Sequence, residues 1–362
     1  MEPDAVAYGQ LAWPADQSQT ALVVMMPRTR IKRLLRRTLG LAAPVVWRTR
    51  PRPSLTILTY HRILPADHPA RLTEQPGMYV SPDTLAMQLR VLKQHFTLIG
   101  LGDWLSLRAS GAALPDRACC ITFDDGWRDN YDYGLPVLAA AGVPATVFLV
   151  TDFIGSSYRF WPNRLAQLLG RLGSSDLALL PARLSALLVR AGFVPAGTPD
   201  IAQIDRVIDA CKSESDAAMI SLLDAAEALV PAVAEAGSRD LLDEAEILAM
   251  RDSGLVQFGS HSRRHTRLLP GLTPVQLEDE VRASRRHLEQ MVGQPADIFC
   301  YPNGDCSPAA LALVRSVYRA AVTTVPGWNQ PRSDLHLLRR LSVHEDIAAD
   351  GASFLARVAG LR

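Results

Sequence analysis

Ile121-Thr122-Phe123-Asp124-Asp125-Gly126-Trp127 is the stretch on which the reading of this chain turns. It closes a short apolar run, residues 118–125, of the length expected for a buried strand. It then presents two carboxylates side by side, followed by a glycine that permits a tight turn. Adjacent carboxylates repel, so keeping both ionised calls for a nearby cation. Successive side chains of a strand point to opposite faces. One carboxylate can therefore bind a metal while its neighbour serves as a base. A plain surface turn has the same sequence, so the pattern gains meaning only from its company.

That company is regular. Six further apolar segments read as buried strands: 55–61, 145–150, 255–261, 297–302, 320–325 and 337–344. Helical stretches separate several of them. Ser81-Pro82-Asp83 starts one with a capping serine and a first-turn proline. Thr273-Pro274-Val275-Gln276 starts another as a capping box that ends near Gly293, and Ser307-Pro308 starts a third. Alternating strands and helices predict an α/β fold with a parallel sheet, open or closed. Five strands end in polar residues: Tyr60-His61, Asp124-Asp125, Ser260-His261, Tyr301-Pro302-Asn303-Gly304 and His344. The C-terminal strand ends are where parallel α/β proteins build active sites. Between the third and fourth strands, segments 165–172, 182–190, 201–211, 217–230 and 243–250 all read as helices, too much for one connection. The chain thus divides into an arm over 1–52, a body over 53–155 and 251–362, and a helical insertion over 156–250.

Two more segments carry chemistry. Phe258-Gly259-Ser260-His261-Ser262-Arg263-Arg264-His265 holds two imidazoles four residues apart. A helical turn after the strand would face both rings the same way, and zinc takes His nitrogen and Asp oxygen together. The turn Tyr301-Pro302-Asn303-Gly304 can aim backbone N–H groups into a site. Trp127, Trp161 and Trp328 offer faces that suit sugar rings, although each also reads as a partly buried core or rim aromatic. Cys119 and Cys120, inside a strand, read as small core residues.

Thr-Phe-Asp-Asp-Gly, then His-Ser-x-x-His, then Tyr-Pro-x-Gly, each at a strand end, closely resembles the polysaccharide deacetylase family, also known as the NodB-homology domain or carbohydrate esterase family 4. The resemblance runs from about Leu55 to Glu345. It implies a distorted (β/α)7 barrel and removal of acetyl groups from a glycan or glycan precursor with a divalent metal, zinc first of all. It implies Asp125, His261 and His265 as metal ligands and Asp124 as the base. It also implies a groove formed by Tyr301, Pro302, Asn303 and Gly304, in which the Asn303 N–H helps hold the oxyanion. Tyr60 and His61 match a Tyr-His pair found near the site in many members. The sequence departs from the family in three places. Cys300 stands where many members carry an arginine that orients the base. Pro326-Gly327-Trp328-Asn329 occupies the region of a missing Asp-x-x-Asp-Trp, and Trp328 is taken as a substrate contact there. His344, in Leu341-Ser342-Val343-His344, loosely matches the family's Leu-x-His. The general acid is therefore His344 or His61.

Composition bounds the rest. The 362 residues are 48% hydrophobic and 21% charged, ordinary for a folded protein, and no run of about 18 apolar residues suggests a membrane span. The net charge of +1 gives no footing for a nucleic-acid partner, yet it hides a segregation. Residues 17–66 hold ten basic side chains and no acidic one, leaving 28 basic against 37 acidic elsewhere. The arm is expected to be poorly ordered or to lie on an anionic membrane surface. Its start is open, since Met25 or Met26 also serves. Five cysteines without a Cys-x-x-Cys predict a reducing compartment. The expected location is the cytoplasm or the inner membrane face, with an acetylated glycan or lipid-linked sugar as substrate. Two rival classes remain at this level: a catalytically weak glycan-binding protein of the same fold, and a membrane-surface polysaccharide assembly factor.

Overall fold

Seven parallel strands close on themselves in this computed structural model, which describes residues 28–195, 199–230 and 239–361. The alternative starts at Met25 and Met26 lie outside the described residues. The strands are β1 (Ser54–Tyr60), β2 (Arg117–Phe123), β3 (Ala145–Leu149), β4 (Val256–Ser260), β5 (Ile298–Cys300), β6 (Ala320–Pro326) and β7 (Leu338–Ser342). Each pairs with the next, and β1 closes the ring by pairing with both β2 and β7. This is a (β/α)7 barrel, and its strands are the seven apolar segments of the sequence.

The pleat sorts side chains into two sets. Leu55, Ile57, Cys120, Phe148, Ile298, Cys300, Val322 and Leu338 fill the barrel, and Trp104 and Leu105 of the helix Leu101–Ser110 pack into the same cluster. Leu58, Tyr60, Ile121, Phe123, Val147 and Leu149 point outward beneath the surrounding helices. Those helices begin as their sequences dictate. Ser81 Oγ accepts the Thr84 N–H ahead of Pro82–His95, and Thr273 and Gln276 cap each other reciprocally. The helix opened by Thr273 is not uniform. A π-helical turn, Asp279–Ala283, joins Pro274–Glu278 to Ser284–Val292 before Gly293 ends it.

The insertion has its own core. Leu165, Leu168, Leu184, Leu188, Ile204, Ile208 and Leu223 come from the helices Trp161–Leu169, Ala182–Arg190, Ile201–Cys211 and Asp216–Leu229. The helix Glu244–Asp252, grouped with the insertion on sequence, packs instead on the barrel through Ile247 and Met250. Its apolar face matches the barrel's outer layer, and a chain pattern alone does not say which core an amphipathic helix serves.

The arm also departs from expectation. Residues Arg28–Thr49 form a helix whose C-terminal half is packed, with Ala43 and Trp47 buried in the barrel's outer core. Gly40 lies so close to the Gly351–Val358 helix that a Cβ would sit 2.1 Å from the Ala352 carbonyl oxygen. Arg50 donates to the Val358 carbonyl at 2.9 Å. Among the described residues no helix is long and apolar enough to cross a membrane.

Candidate active site

The site forms where the barrel interior opens at the C-terminal strand ends. Thr59 of β1 pairs with Thr122 of β2 and with Ser342 of β7. Two residues on, the same register and the same inward face bring His61, Asp124 and His344 to the rim together. Asp124 N–H donates to the Tyr60 carbonyl at 3.0 Å, which fixes the turn out of β2.

Asp124 is gripped from across the barrel. Arg340 of β7 makes two parallel 2.7 Å bonds to its carboxylate oxygens. The same guanidinium donates to Thr59 Oγ1, Thr122 Oγ1, the Thr323 carbonyl and Cys300 Sγ. Both partners are buried, and the bidentate geometry leaves the carboxylate one orientation. Burial alone would raise the Asp124 pKa, but Arg340 overcomes it and holds the group down at about 2. Sequence reasoning missed Arg340. Its signal was the parity of β7, which turns Arg340 inward and leaves Arg339 exposed.

Asp125 is turned by two consecutive left-handed residues, itself at φ 74° and Gly126 at φ 76°. That conformation is uncommon for an aspartate and is typical of functional turns. Trp127 Nε1 donates to Asp125 Oδ2 at 2.9 Å. Oδ1 is left 3.4 Å from His261 Nε2 and 3.6 Å from His265 Nε2. Trp127 is buried beneath the Arg62 guanidinium, which lies 4.2 Å from its ring centre. It braces Asp125 and, being buried, presents no open face to a sugar.

His261 follows β4, and its Nδ1 bonds the Cys300 carbonyl at 2.8 Å. A carbonyl only accepts, so Nδ1 carries a proton and Nε2 is the nitrogen left to face Asp125 and to ligate a cation. His265 arrives by a loop and not by the helical turn expected from the spacing. Ser262 at φ 64° and His265 at φ 59° reverse the backbone and bring the ring centres to 4.8 Å. Phe160 of the insertion packs edge-on to His265 at 5.2 Å.

Asp125, His261 and His265 thus offer three donor atoms within 4.8 Å of one another, a nitrogen and carboxylate set that suits zinc. The charges agree. Burial opposes ionisation of Asp125, yet the imidazoles of His261, His61 and His265 hold it well below the usual carboxylate range. Arg340 answers the charge of Asp124, whereas Asp125 faces only the imidazoles that would join it as ligands. Asp124, His261 and Cys300 form a second close group. Arg340 already occupies Asp124 and Cys300, and burial raises the Cys300 thiol, so a cation has no place there.

The remaining sequence candidates divide. Pro302 is buried, and Asn303 at φ 54° begins a turn pinned by Gly304 against Thr324. Gly304 and Asp305 donate their N–H groups to Tyr301 and Pro302, whereas the Asn303 N–H has no acceptor within the described chain. The Tyr60 and Tyr301 side chains are not at the rim. Tyr60 points outward to Gln88 with a 2.9 Å bond, and Tyr301 packs against Phe299 in the helix layer. Their strand parity is opposite to that of Asp124 and Cys300. Trp328 also lies elsewhere: Asn329 pairs with Leu55 near the start of β1, and Trp328 stacks on Arg50. His344 Nδ1 pairs with Asp346. His61 stands at the rim near both Asp124 and Asp125.

Comparison with known proteins agrees with this geometry. The chain is 22% identical over 259 residues to YxkH of Bacillus subtilis, named as a polysaccharide deacetylase, covering 71% of this chain and 62% of that protein. It is 34% identical over 79 residues to the poly-beta-1,6-N-acetyl-D-glucosamine N-deacetylase of Staphylococcus epidermidis, covering 22% of this chain and 27% of the enzyme. The chain therefore spans less than two thirds of the length of these relatives. The fold is similar to that of the deacetylase PplD of Streptococcus pyogenes, solved in complex with acetate, with a TM-score of 0.56 at 16% identity over 85% of this chain and 99% of that one. The family model for polysaccharide deacetylases matches residues 111–184 and 205–321, more than half of the chain and including the Asp-Asp turn, the His-x3-His loop and the Tyr-Pro-Asn-Gly turn. With its motifs gathered at one rim of a seven-stranded barrel, the chain belongs to the polysaccharide deacetylase family.

Proposed function

We propose that the protein is a metal-dependent deacetylase that hydrolyses the N-acetyl groups of a glycan or glycan precursor. The observation that carries this reading is the separation of roles between adjacent residues. Asp125 faces two imidazole nitrogens at 3.4 and 3.6 Å, while both carboxylate oxygens of Asp124 are bonded by Arg340. A divalent ion held by Asp125, His261 and His265, zinc in the first instance, supplies Lewis-acid polarisation of the acetamide carbonyl and acidifies water.

The chain supplies the rest. Asp124, kept ionised and oriented by Arg340, accepts the proton of the attacking water. The Asn303 N–H donates to the carbonyl oxygen as negative charge develops on it. An imidazole returns a proton to the leaving amine. His61 and His344 both reach the rim in register with Asp124, and the pairing of His344 Nδ1 with Asp346 leaves its Nε2 to donate. The products are acetate and a glucosamine-type residue whose amine gains a positive charge. The likeness to a poly-N-acetylglucosamine deacetylase favours a β-linked N-acetylglucosamine polymer as substrate. Five unpaired cysteines favour a reducing location, the cytoplasm or the inner membrane face.

The test is acetate release from acetylated chito-oligosaccharides and from β-1,6-linked N-acetylglucosamine oligomers by zinc-loaded protein. Release should stop on chelation, return with metal, and be lost in Asp124→Asn while zinc stays bound. No release by the loaded protein, or unchanged activity in Asp124→Asn, contradicts the reading.

A further inference from the structure

The segment between the two histidine ligands is short, irregular and strained. Ser262 within it and His265 at its end both have positive φ. Such backbone persists only when its surroundings over-determine it. One side chain does most of this. Glu280 Oε2 accepts the backbone N–H of Arg263 at 3.0 Å and that of Arg264 at 2.9 Å. Its other oxygen meets the Arg264 guanidinium at 2.7 Å. Glu280 is 2% exposed, although both arginine side chains reach solvent. It therefore serves the loop backbone first. From the other side, Thr151 and Asp152 donate their N–H groups to the Ser262 and Arg263 carbonyls. The loop is held by its N–H groups on one side and its C=O groups on the other.

The placement of Glu280 also has a local cause. It lies in the π-helical turn Asp279–Ala283, and π-turns inside α-helices recur at functional sites. Glu280 lies buried in this turn, against the loop. Ser284 Oγ bonds the Glu280 carbonyl and also receives Ser260 Oγ from β4, so the clamp is tied to the strand that ends in His261.

We infer that Glu280 is a positioning residue for the metal site: through the Arg263 and Arg264 N–H groups it sets the distance between His261 and His265, and so the affinity for the divalent ion. The inference rests on the metal-ligand reading of Asp125, His261 and His265. Without the carboxylate, two part-buried N–H groups lose their acceptor and the loop relaxes from its left-handed corners. Both imidazoles remain, but they are no longer pre-set at one separation. Outer partners of ligating histidines typically contribute ~10–100-fold in metal affinity. The neighbouring Asp279 differs, because among the described residues its side chain meets only the Arg263 and Arg264 guanidinium groups.

The experiment measures Zn2+ affinity of the full chain by competition with a chromophoric chelator, with the visible spectrum of the Co2+-loaded protein as a second readout. Glu280→Ala should bind Zn2+ ~10–100-fold more weakly. Its kcat at saturating Zn2+ should stay within about twofold of wild type. Glu280→Gln keeps an acceptor oxygen and loses only charge, so it should fall between the two. It also carries the test if the alanine variant does not fold. Asp279→Asn should bind as wild type does. Wild-type affinity in both Glu280 variants overturns the inference while leaving the metal reading intact, and so does an equal loss in Asp279→Asn. A wild-type protein that binds neither Zn2+ nor Co2+ overturns the metal reading and this inference together.

Discussion

Arg340 and Asp124 form a pair in which neither partner tolerates loss of the other. The guanidinium is fully buried among two threonine hydroxyls, a carbonyl, a thiol and one carboxylate. Removing one member of a buried ion pair typically destabilises by about 3–5 kcal/mol, because the other charge stays buried. Arg340→Met, of similar length, should therefore lower the melting temperature. It should also cut kcat by about 10²-fold through a misoriented base, with zinc still bound. Unchanged kcat in that variant would remove Arg340 from the account. The motif carboxylates and imidazoles were legible in the sequence, because each is a polar residue at the end of an apolar strand. Arg340 was not: Arg339-Arg340 reads as two solvated charges until the pleat of β7 buries one of them. Parity also explains Tyr60 and Tyr301. Each precedes or follows an inward residue by one position, so each faces the helices.

At the scale of elements, the connections between site and scaffold are polar and sensitive to pH. Arg62 is shared by Asp129 and Glu74, and Glu74 also accepts from Asn163 of the insertion at 2.9 Å. Burial, with the Glu74 charge adding to it, outweighs Arg62 and raises the Asp129 carboxyl to about 6. An acid whose pKa is raised on folding contributes stability that is full below its unfolded value, near 4, and fades as pH rises through about 6. Unfolding free energies of wild type and Asp129→Asn should therefore diverge between pH 4 and 7, with wild type losing ground as pH rises. A pH-independent difference would contradict the assignment. The loop carrying His265 shows a limit of periodicity. Two histidines four apart suit a helix, yet Ser262 and His265 adopt left-handed conformations because Glu280 and the Thr151–Asp152 backbone hold them there.

For the molecule as a whole, the barrel was readable because seven buried strands leave seven apolar runs. Boundaries between cores were not, since one amphipathic helix looks like another. The helix Glu244–Asp252 belongs to the barrel, and the four insertion helices have a separate core. Leu188→Ala, in that separate core, should cost about 2–5 kcal/mol locally. Hydrogen exchange should then rise in residues 161–230 ahead of the barrel strands, and uniform loosening of both would argue for one cooperative unit. The described part of the basic arm is likewise packed on the body. Trp47 is 1% exposed against Phe96 and the barrel's outer core. Deleting residues 1–52 should therefore destabilise the body, by an amount comparable to the ~3–5 kcal/mol of a Trp→Ala change in a core. A truncated protein with the wild-type melting temperature would restore the view of the arm as a mere appendage.

The central claim is that adjacent aspartates divide their labour, Asp125 holding the ion and Asp124 staying on Arg340. Anomalous diffraction at the zinc edge from zinc-loaded crystals tests it most directly. One peak is expected within about 2.0–2.2 Å of Asp125, His261 Nε2 and His265 Nε2, with the Asp124–Arg340 pair intact. A peak between Asp124, His261 and Cys300, or no peak at the rim, would contradict it.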